Sequence, residues 1–299
     1  LFVDEVTQNT TLGIANQKIT AAGGTEGILV LKNPSQNATP LFRTVVKPQK
    51  KIRKARLYIT SRGIYEIHSN GKRLGTDYFN PGLTQYNKHQ LYQTYDLTSE
   101  FKNQTETVLG IALSEGWWSG NITYSGENWN FFGDRQSFLA LLVLTHEDGT
   151  EQILTSNTED WKLYTEGPLR YGSFFQGEVY DARYHSKIAG WSTPLYDDSA
   201  WKAPVEVPLE GTAYTDKNFN FKDLKLLGKR GENVKIVKKI KPVSVQEVRP
   251  KVYVYDMGQN MVGFPKIHLP KTEPGDTLTL RYAEVLYPNL KEYAGQEGM

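Results

Sequence analysis

GIYEIHSNGKRLG, residues Gly63 to Gly75, is the stretch that decides the fold class. Ile64, Glu66 and His68 alternate with Tyr65, Ile67 and Ser69, the period-2 pattern of a half-buried strand. Asn70-Gly71 then predicts a two-residue hairpin turn, because both central residues of a type I′ turn need positive φ and this pair tolerates it. Further along, Tyr92–Tyr95 is a β-rich run and Val108–Leu113 reads as a buried strand. The whole stretch from Gly63 to Gly120 is expected to form one face of a β-sandwich that presents a loop-built site.

Flanking segments repeat the pattern. Leu41–Val46 and Ala55–Thr60 read as strands on either side of the basic turn PQKKIRK. The run SFLALLVLT, Ser137–Thr145, fits a strand or a short helix by periodicity. Its length, the preceding Gly133-Asp134 and the following His146–Gly149 turn favour a buried strand. Asp148-Gly149 would pair it with Glu151–Thr155. Residues 167–177 read as a loop, and Trp191–Trp201 as a loop anchored by its two tryptophans. Past Leu226, short β-branched runs at 234–240, 244–249, 251–255, 264–269 and 277–282 are separated by prolines and turns, as in another sandwich. The fold class is therefore all-β, two β-sandwich domains in tandem. The expected boundaries are a strand-and-loop segment at 1–40 with a strand near Ile28–Leu31, a first sandwich at 41–225, and the start of a second, truncated sandwich at 226–299.

Charge excludes several functions. The 299 residues carry a formal net charge of only +2, which gives no electrostatic reason to expect nucleic acid or a membrane surface as partner. The lysine clusters at 47–54 and 235–241 are interleaved with β-branched residues and prolines and read as solvated strand edges. The absence of cysteine excludes disulfides and thiolate metal sites. No apolar run approaches the roughly 18 residues of a membrane span. The opening LFVDEVTQNT lacks the basic and apolar regions of a secretory leader.

Chemistry concentrates in WWSGNITYSGENWNFF, Trp117–Phe132. Sugar rings lay their apolar C–H faces on Trp or Tyr, while Asn, Asp and Glu bond the hydroxyls. Trp117, Trp118, Asn121, Asn128 and Trp129, with Asp77 from the loop after the hairpin, are the candidate sugar-binding residues. The competing reading is that one tryptophan of the pair plugs the end of the sandwich. Oxygen donors at Asp77, Asn121, Glu127 and Asn128 leave a calcium site open, although Asn and Asp in loops commonly cap turns. The five histidines, His68, His89, His146, His185 and His268, have no metal-ligand spacing. Glu178 and Asp181 could serve as a glycosidase pair only if a turn brought them together, and Arg183 points instead to an ion pair. No G-x-G-x-x-G, P-loop or nucleophile elbow is present.

Several ordered motifs together carry a family resemblance. Arg56–Thr60, Gly63–Glu66, Asn70–Gly75, Pro81–Tyr86, Tyr92–Thr98, Gly116–Gly120, Gly177–Arg183 and Trp191–Trp201 resemble the N-terminal β-sandwich of bacterial α-L-rhamnosidases, glycoside hydrolase family 78. Tyr255–Asn260, Gly263 and Leu280–Leu286 resemble that family's next module, a concanavalin-like β-domain. The resemblance runs from about Leu41 to the C-terminus. It implies a jelly-roll or galactose-binding-like sandwich followed by a concanavalin-like one. It also implies a parent inverting glycosidase whose catalytic (α/α)6 barrel follows these domains. The barrel's acidic motif occurs nowhere in this chain, so no catalytic residue is assigned, and the chain is expected to be the N-terminal β portion of such an enzyme. In some relatives the first sandwich is a calcium-dependent rhamnose-binding module, its site in loops like those holding Asp77 and Trp117–Asn130. The implied partners are an L-rhamnose-containing carbohydrate and the catalytic barrel, and the implied metal is calcium near Asp77 and Asn128.

Overall fold

The computed structural model describes residues 18–20, 26–28, 38–120, 122, 130–175, 177–207, 221–269, 271–273 and 275–284. A first short hairpin joins β1 (Lys18–Thr20) to β2 (Glu26–Ile28). The strand expected at Ile28–Leu31 touches the described residues only at Ile28. The chain then runs through β3 (Leu41–Val46), β4 (Ile52–Arg62), β5 (Ile64–Ser69), β6 (Lys72–Arg73) and β7 (His89–Asp96). One turn of helix, α1 (Thr98–Phe101), leads to β8 (Thr107–Ser114), β9 (Ser137–His146), β10 (Glu151–Thr155) and β11 (Lys162–Tyr164). Next come β12 (Leu169–Ser173), β13 (Gly177–Tyr180), a 3-10 helix at Ala182–Ile188 and β14 (Lys225–Gly228). β15 (Ser244–Arg249) and β16 (Val252–Asp256) follow.

Two five-stranded sheets pack face to face, in the orders β10-β9-β4-β7-β14 and β11-β3-β8-β5-β6. Inward residues of alternating strands fill the space between them: Ala55, Leu57 and Ile59 from β4, Leu109 and Ile111 from β8, Leu142 from β9. The hairpin forms as its sequence dictates, with φ of 45° at Asn70 and 84° at Gly71. SFLALLVLT is a strand, and Asp148-Gly149 pairs it antiparallel with β10. Among the described residues the longest helical element is the seven-residue 3-10 segment, in keeping with the all-β reading.

The stretch around the hairpin does not, however, make a single face. β5 and β8 are neighbours in one sheet, whereas β7 lies in the other. The crossing is made by α1, and Leu97 and Phe101 are buried in the core where the chain changes layer. Residues 167–177 are likewise more than a loop, since they hold β12, which pairs antiparallel with β13 from Gly177 onward.

Each sheet is partly covered on its outside. Segment 182–202 lies over the β3–β8 side, where Trp191, Trp201 and Leu41 form a separate core cluster. Trp191 needs a bare backbone beneath it: a Cβ on Gly110 would sit 2.5 Å from the Trp191 ring. Gly110→Ala is therefore expected to lower stability by about 1–3 kcal/mol through overpacking. A fall of several degrees in melting temperature would register it, and an unchanged value would show that the segment is only loosely applied.

β14 extends the first sandwich past the boundary expected at 225/226. It pairs parallel with β7, Lys225 opposite His89 and Gly228 opposite Tyr92, and the division into compact units falls after Lys235. The second unit, from Ile236, contains the antiparallel hairpin β15–β16. Of the runs at 234–240, 264–269 and 277–282, Val234 makes one antiparallel bridge with Tyr78, and none extends into a strand. Alternation makes a segment competent to be a strand, but a ladder needs a neighbour to bond.

Candidate sugar-binding surface

Loop 74–88, the Trp117 turn and the Phe174 turn meet around a group of aromatic rings. Trp117 is half-buried, its ring centroid 4.4 Å from that of Phe174. Phe79 meets Phe174 edge-on at 4.9 Å. Phe79 sits at φ 59°, a region that bulky residues avoid at a cost of about 1–3 kcal/mol. The residue after it holds the loop in place. Asn80 accepts from the backbone N–H of Tyr65 at 3.0 Å, donates to the Tyr95 hydroxyl at 3.2 Å and accepts from Lys229 Nζ at 3.0 Å. Tyr65 in turn donates to Gln93 at 2.6 Å. Burial pushes the Tyr65 and Tyr95 hydroxyls up and the Lys229 ammonium down from their ordinary pKa values, so these groups serve as neutral or paired partners in a fixed network.

The two tryptophans part company. Trp118 has no exposed surface. Its indole N–H donates to the Arg135 carbonyl at 2.9 Å, and the Arg62 guanidinium lies 4.5 Å over its ring. Phe132 stacks on it and Tyr86 meets it edge-on. A Cβ on Gly133 would come within 2.3 Å of the ring. Trp118 is thus removed from the candidate sugar contacts: enclosed on its faces and edge, it plugs the end of the sandwich. Trp117 is the member of the pair with surface to offer.

Asp77 is already engaged. Its Oδ2 accepts from Asn233 Nδ2 at 2.5 Å, Lys235 Nζ stands 3.9 Å from Oδ1, and Arg73 donates to its backbone carbonyl. Amide and ammonium donors fill the place where calcium would need further oxygens, so Asp77 does not fit a calcium ligand here. It clasps the returning segment at 233–235. Among the described residues no group of three or more His, Asp or Glu is placed to hold a metal. Asn121, Glu127, Asn128 and Trp129 lie outside the described residues. Asn130 is buried, accepts at Oδ1 from the Gly120 N–H at 2.7 Å and donates its own N–H to the Gly120 carbonyl at 2.8 Å.

Of Glu178 and Asp181, the second forms the ion pair with Arg183 that the sequence suggests. Asp181 caps the 3-10 helix and accepts side-chain hydrogen bonds from Arg183 Nε, at 2.9 and 3.2 Å to its two oxygens, and from Nη2 at 2.6 Å. The Arg183 contacts hold its carboxyl below the usual carboxylate range, so it remains ionised and occupied. Phe79 and Phe174, which line the surface, carry no binding pattern of their own in the sequence. The one signal available was Phe174-Phe175 standing between Gly172 and Gly177, and it gave no partner.

Comparison with known proteins fixes the family. Residues 50–237 match the alpha-L-rhamnosidase N-terminal domain, and residues 246–296 the bacterial alpha-L-rhamnosidase concanavalin-like domain. An alpha-L-rhamnosidase of Streptomyces avermitilis is 37% identical over 81% of this chain and 22% of its own length. One of Alteromonas sp. is 38% identical over 85% of this chain and 26% of its own. The crystal structure of Streptomyces avermitilis alpha-L-rhamnosidase complexed with L-rhamnose superposes with a TM-score of 0.64 at 34% identity, over 80% of this chain and 21% of that one. The chain thus spans about a quarter of the length of the curated relatives it matches. It belongs to the α-L-rhamnosidase family and corresponds to the N-terminal, all-β region of its members.

Proposed function

We propose that these residues are the non-catalytic β-sandwich portion of an α-L-rhamnosidase, supporting removal of terminal α-L-rhamnose from glycans or glycosides by a catalytic barrel elsewhere in the polypeptide. We further propose that the Trp117 surface contacts rhamnose. The observation that carries the first part is the match of residues 50–237 to the rhamnosidase N-terminal domain. The second is supported by Trp117, a half-buried indole beside Phe174 at the loop-bearing end of the sandwich, and by the bound L-rhamnose of the Streptomyces avermitilis relative.

Titration with L-rhamnose, followed by tryptophan fluorescence with and without calcium, tests the sugar contact. A saturable change at about 1–10 mM sugar, lost in Trp117→Ala, is the expected result; such a site is worth only about 3–4 kcal/mol. A calcium requirement would mean ligands other than Asp77. A second reading, a scaffold with no sugar site, draws on the engaged Asp77 carboxylate and on Phe174 covering part of Trp117. A flat titration at ~10 mM would leave that reading standing.

A further inference from the structure

Strand β9 is apolar on both sides but covered on one. Ala140, Leu142 and Leu144 are buried in the core, while Leu139 and Leu141 point outward and are 55% and 38% exposed. An antiparallel strand with one solvated face normally alternates apolar and polar residues, whereas SFLALLVLT is apolar on its outward positions too, as a strand covered on both faces would be. The register widens the patch. Ile153 of β10, 60% exposed, stands opposite Val143, and Tyr58 of β4 stands opposite Leu141. Tyr92 of β7 adds a ring 6.2 Å from that of Tyr58. The rim carries both signs, with Lys54, the Arg56–Asp96 pair at 3.2 Å, and Glu151. By contrast, the far end of the same outer face lies beneath Trp118 and Phe221, which cover Arg62, and the other sheet lies beneath Trp191.

We propose that the Leu139–Leu141–Ile153 face is the docking surface for a flat apolar surface, edged by mixed charge, on a further part of the same polypeptide. The proposal rests on the reading of this region as one portion of a longer rhamnosidase. The relatives' own lengths favour a tethered occupant, because the matched region is only 22% and 26% of theirs. So does the size of the patch. Six side chains expose on the order of a few hundred Å², short of the roughly 800 Å² per partner of a free-standing complex. A surface on the same chain is held at roughly millimolar effective concentration and needs less contact to stay bound.

Cysteine labelling tests this in a chain that has no cysteine of its own. Leu141→Cys and Ile153→Cys would each be compared with Leu195→Cys, a 98% exposed loop position, in the 299-residue chain and in the full-length natural polypeptide. Maleimide should label all three at similar rates in the shorter chain. In the full-length polypeptide the first two should slow by about tenfold or more while the third does not, as protection follows local cover. Equal rates in both proteins overturn the proposal. Slow labelling in the shorter chain also overturns it, pointing to a second copy if it depends on concentration and to another segment of these 299 residues if it does not. Should one variant misfold, as judged by its melting curve, the other carries the comparison. Turnover of an aryl α-L-rhamnoside by the full-length protein separates the two ideas: turnover without protection sinks the docking surface and leaves the functional reading intact.

Discussion

Trp118→Ala lowers the stability of the first sandwich by about 3–5 kcal/mol, the cost of emptying a buried indole site, whereas Trp117→Ala loses about 0.5–1.5 kcal/mol of ring contact. The difference follows from surroundings, because the two side chains are chemically identical. Trp118 is enclosed by Tyr86, Phe132 and Phe221 and donates its N–H to Arg135. Its removal also takes away one of the two rings packed against the Arg62 guanidinium. Trp117 packs on Phe174 and keeps part of its surface open. Urea denaturation of the two variants would read both numbers. Equal losses would place both rings in the core and remove the basis for a sugar contact at Trp117. A stable Trp118→Ala would mean that the cluster at this end of the sandwich contributes nothing to folding.

Asp198→Ala is expected to cost about 3 kcal/mol, because it leaves a buried cation without its counter-ion. Arg43 projects from β3 with only 3% of its side chain exposed, and it pairs with Asp198. Lys162 of β11 approaches the other carboxylate oxygen at 2.5 Å, and Arg43 also donates to the Thr193 carbonyl at 3.0 Å. This triad fastens the Trp191–Trp201 segment to its sheet. Replacing both partners by apolar residues, Arg43→Met with Asp198→Leu, should recover much of the loss. A double variant no better than the single one would show that packing alone holds the segment. The pair also sets a pH dependence. Burial raises the Asp198 carboxyl pKa, but Lys162 and Arg43 outweigh it and leave the group below its ordinary value of 3.8. A depressed folded pKa gives stability that is present above the unfolded value and lost as pH falls through the folded one. Comparing wild type with Asp198→Asn should therefore give a constant stability difference above about pH 5 that shrinks below about pH 4. A difference independent of pH would mean the carboxylate contributes no charge interaction.

The legible parts of this protein were those set by neighbours in sequence. The Asn70-Gly71 hairpin, the Asp148-Gly149 hairpin and the identity of SFLALLVLT as a strand follow from local φ preferences and from side-chain alternation. The mixture of aromatic, Asn and Gly residues around Trp117 is what marks this end of the sandwich as the candidate surface. It did not separate Trp117 from Trp118, because adjacent residues in a turn carry the same local signal. Asp77 has a neighbour that the sequence did not show, for a related reason. A loop aspartate looks like a free ligand until Asn233, far away in sequence, is found to donate to it.

The sequence by itself determined an all-β chain, its hairpins, and its place among the rhamnosidases, since alternation and turn chemistry act over a few residues and the family's motifs are runs of that length. Only the tertiary structure decided which sheet each strand joins and that β14 returns to lie beside β7. It alone decided which tryptophan is core, and that the outer face of β9 is left uncovered. Those outcomes depend on contacts between residues distant in the chain. Their energies come from burial and pairing, and no local pattern encodes them.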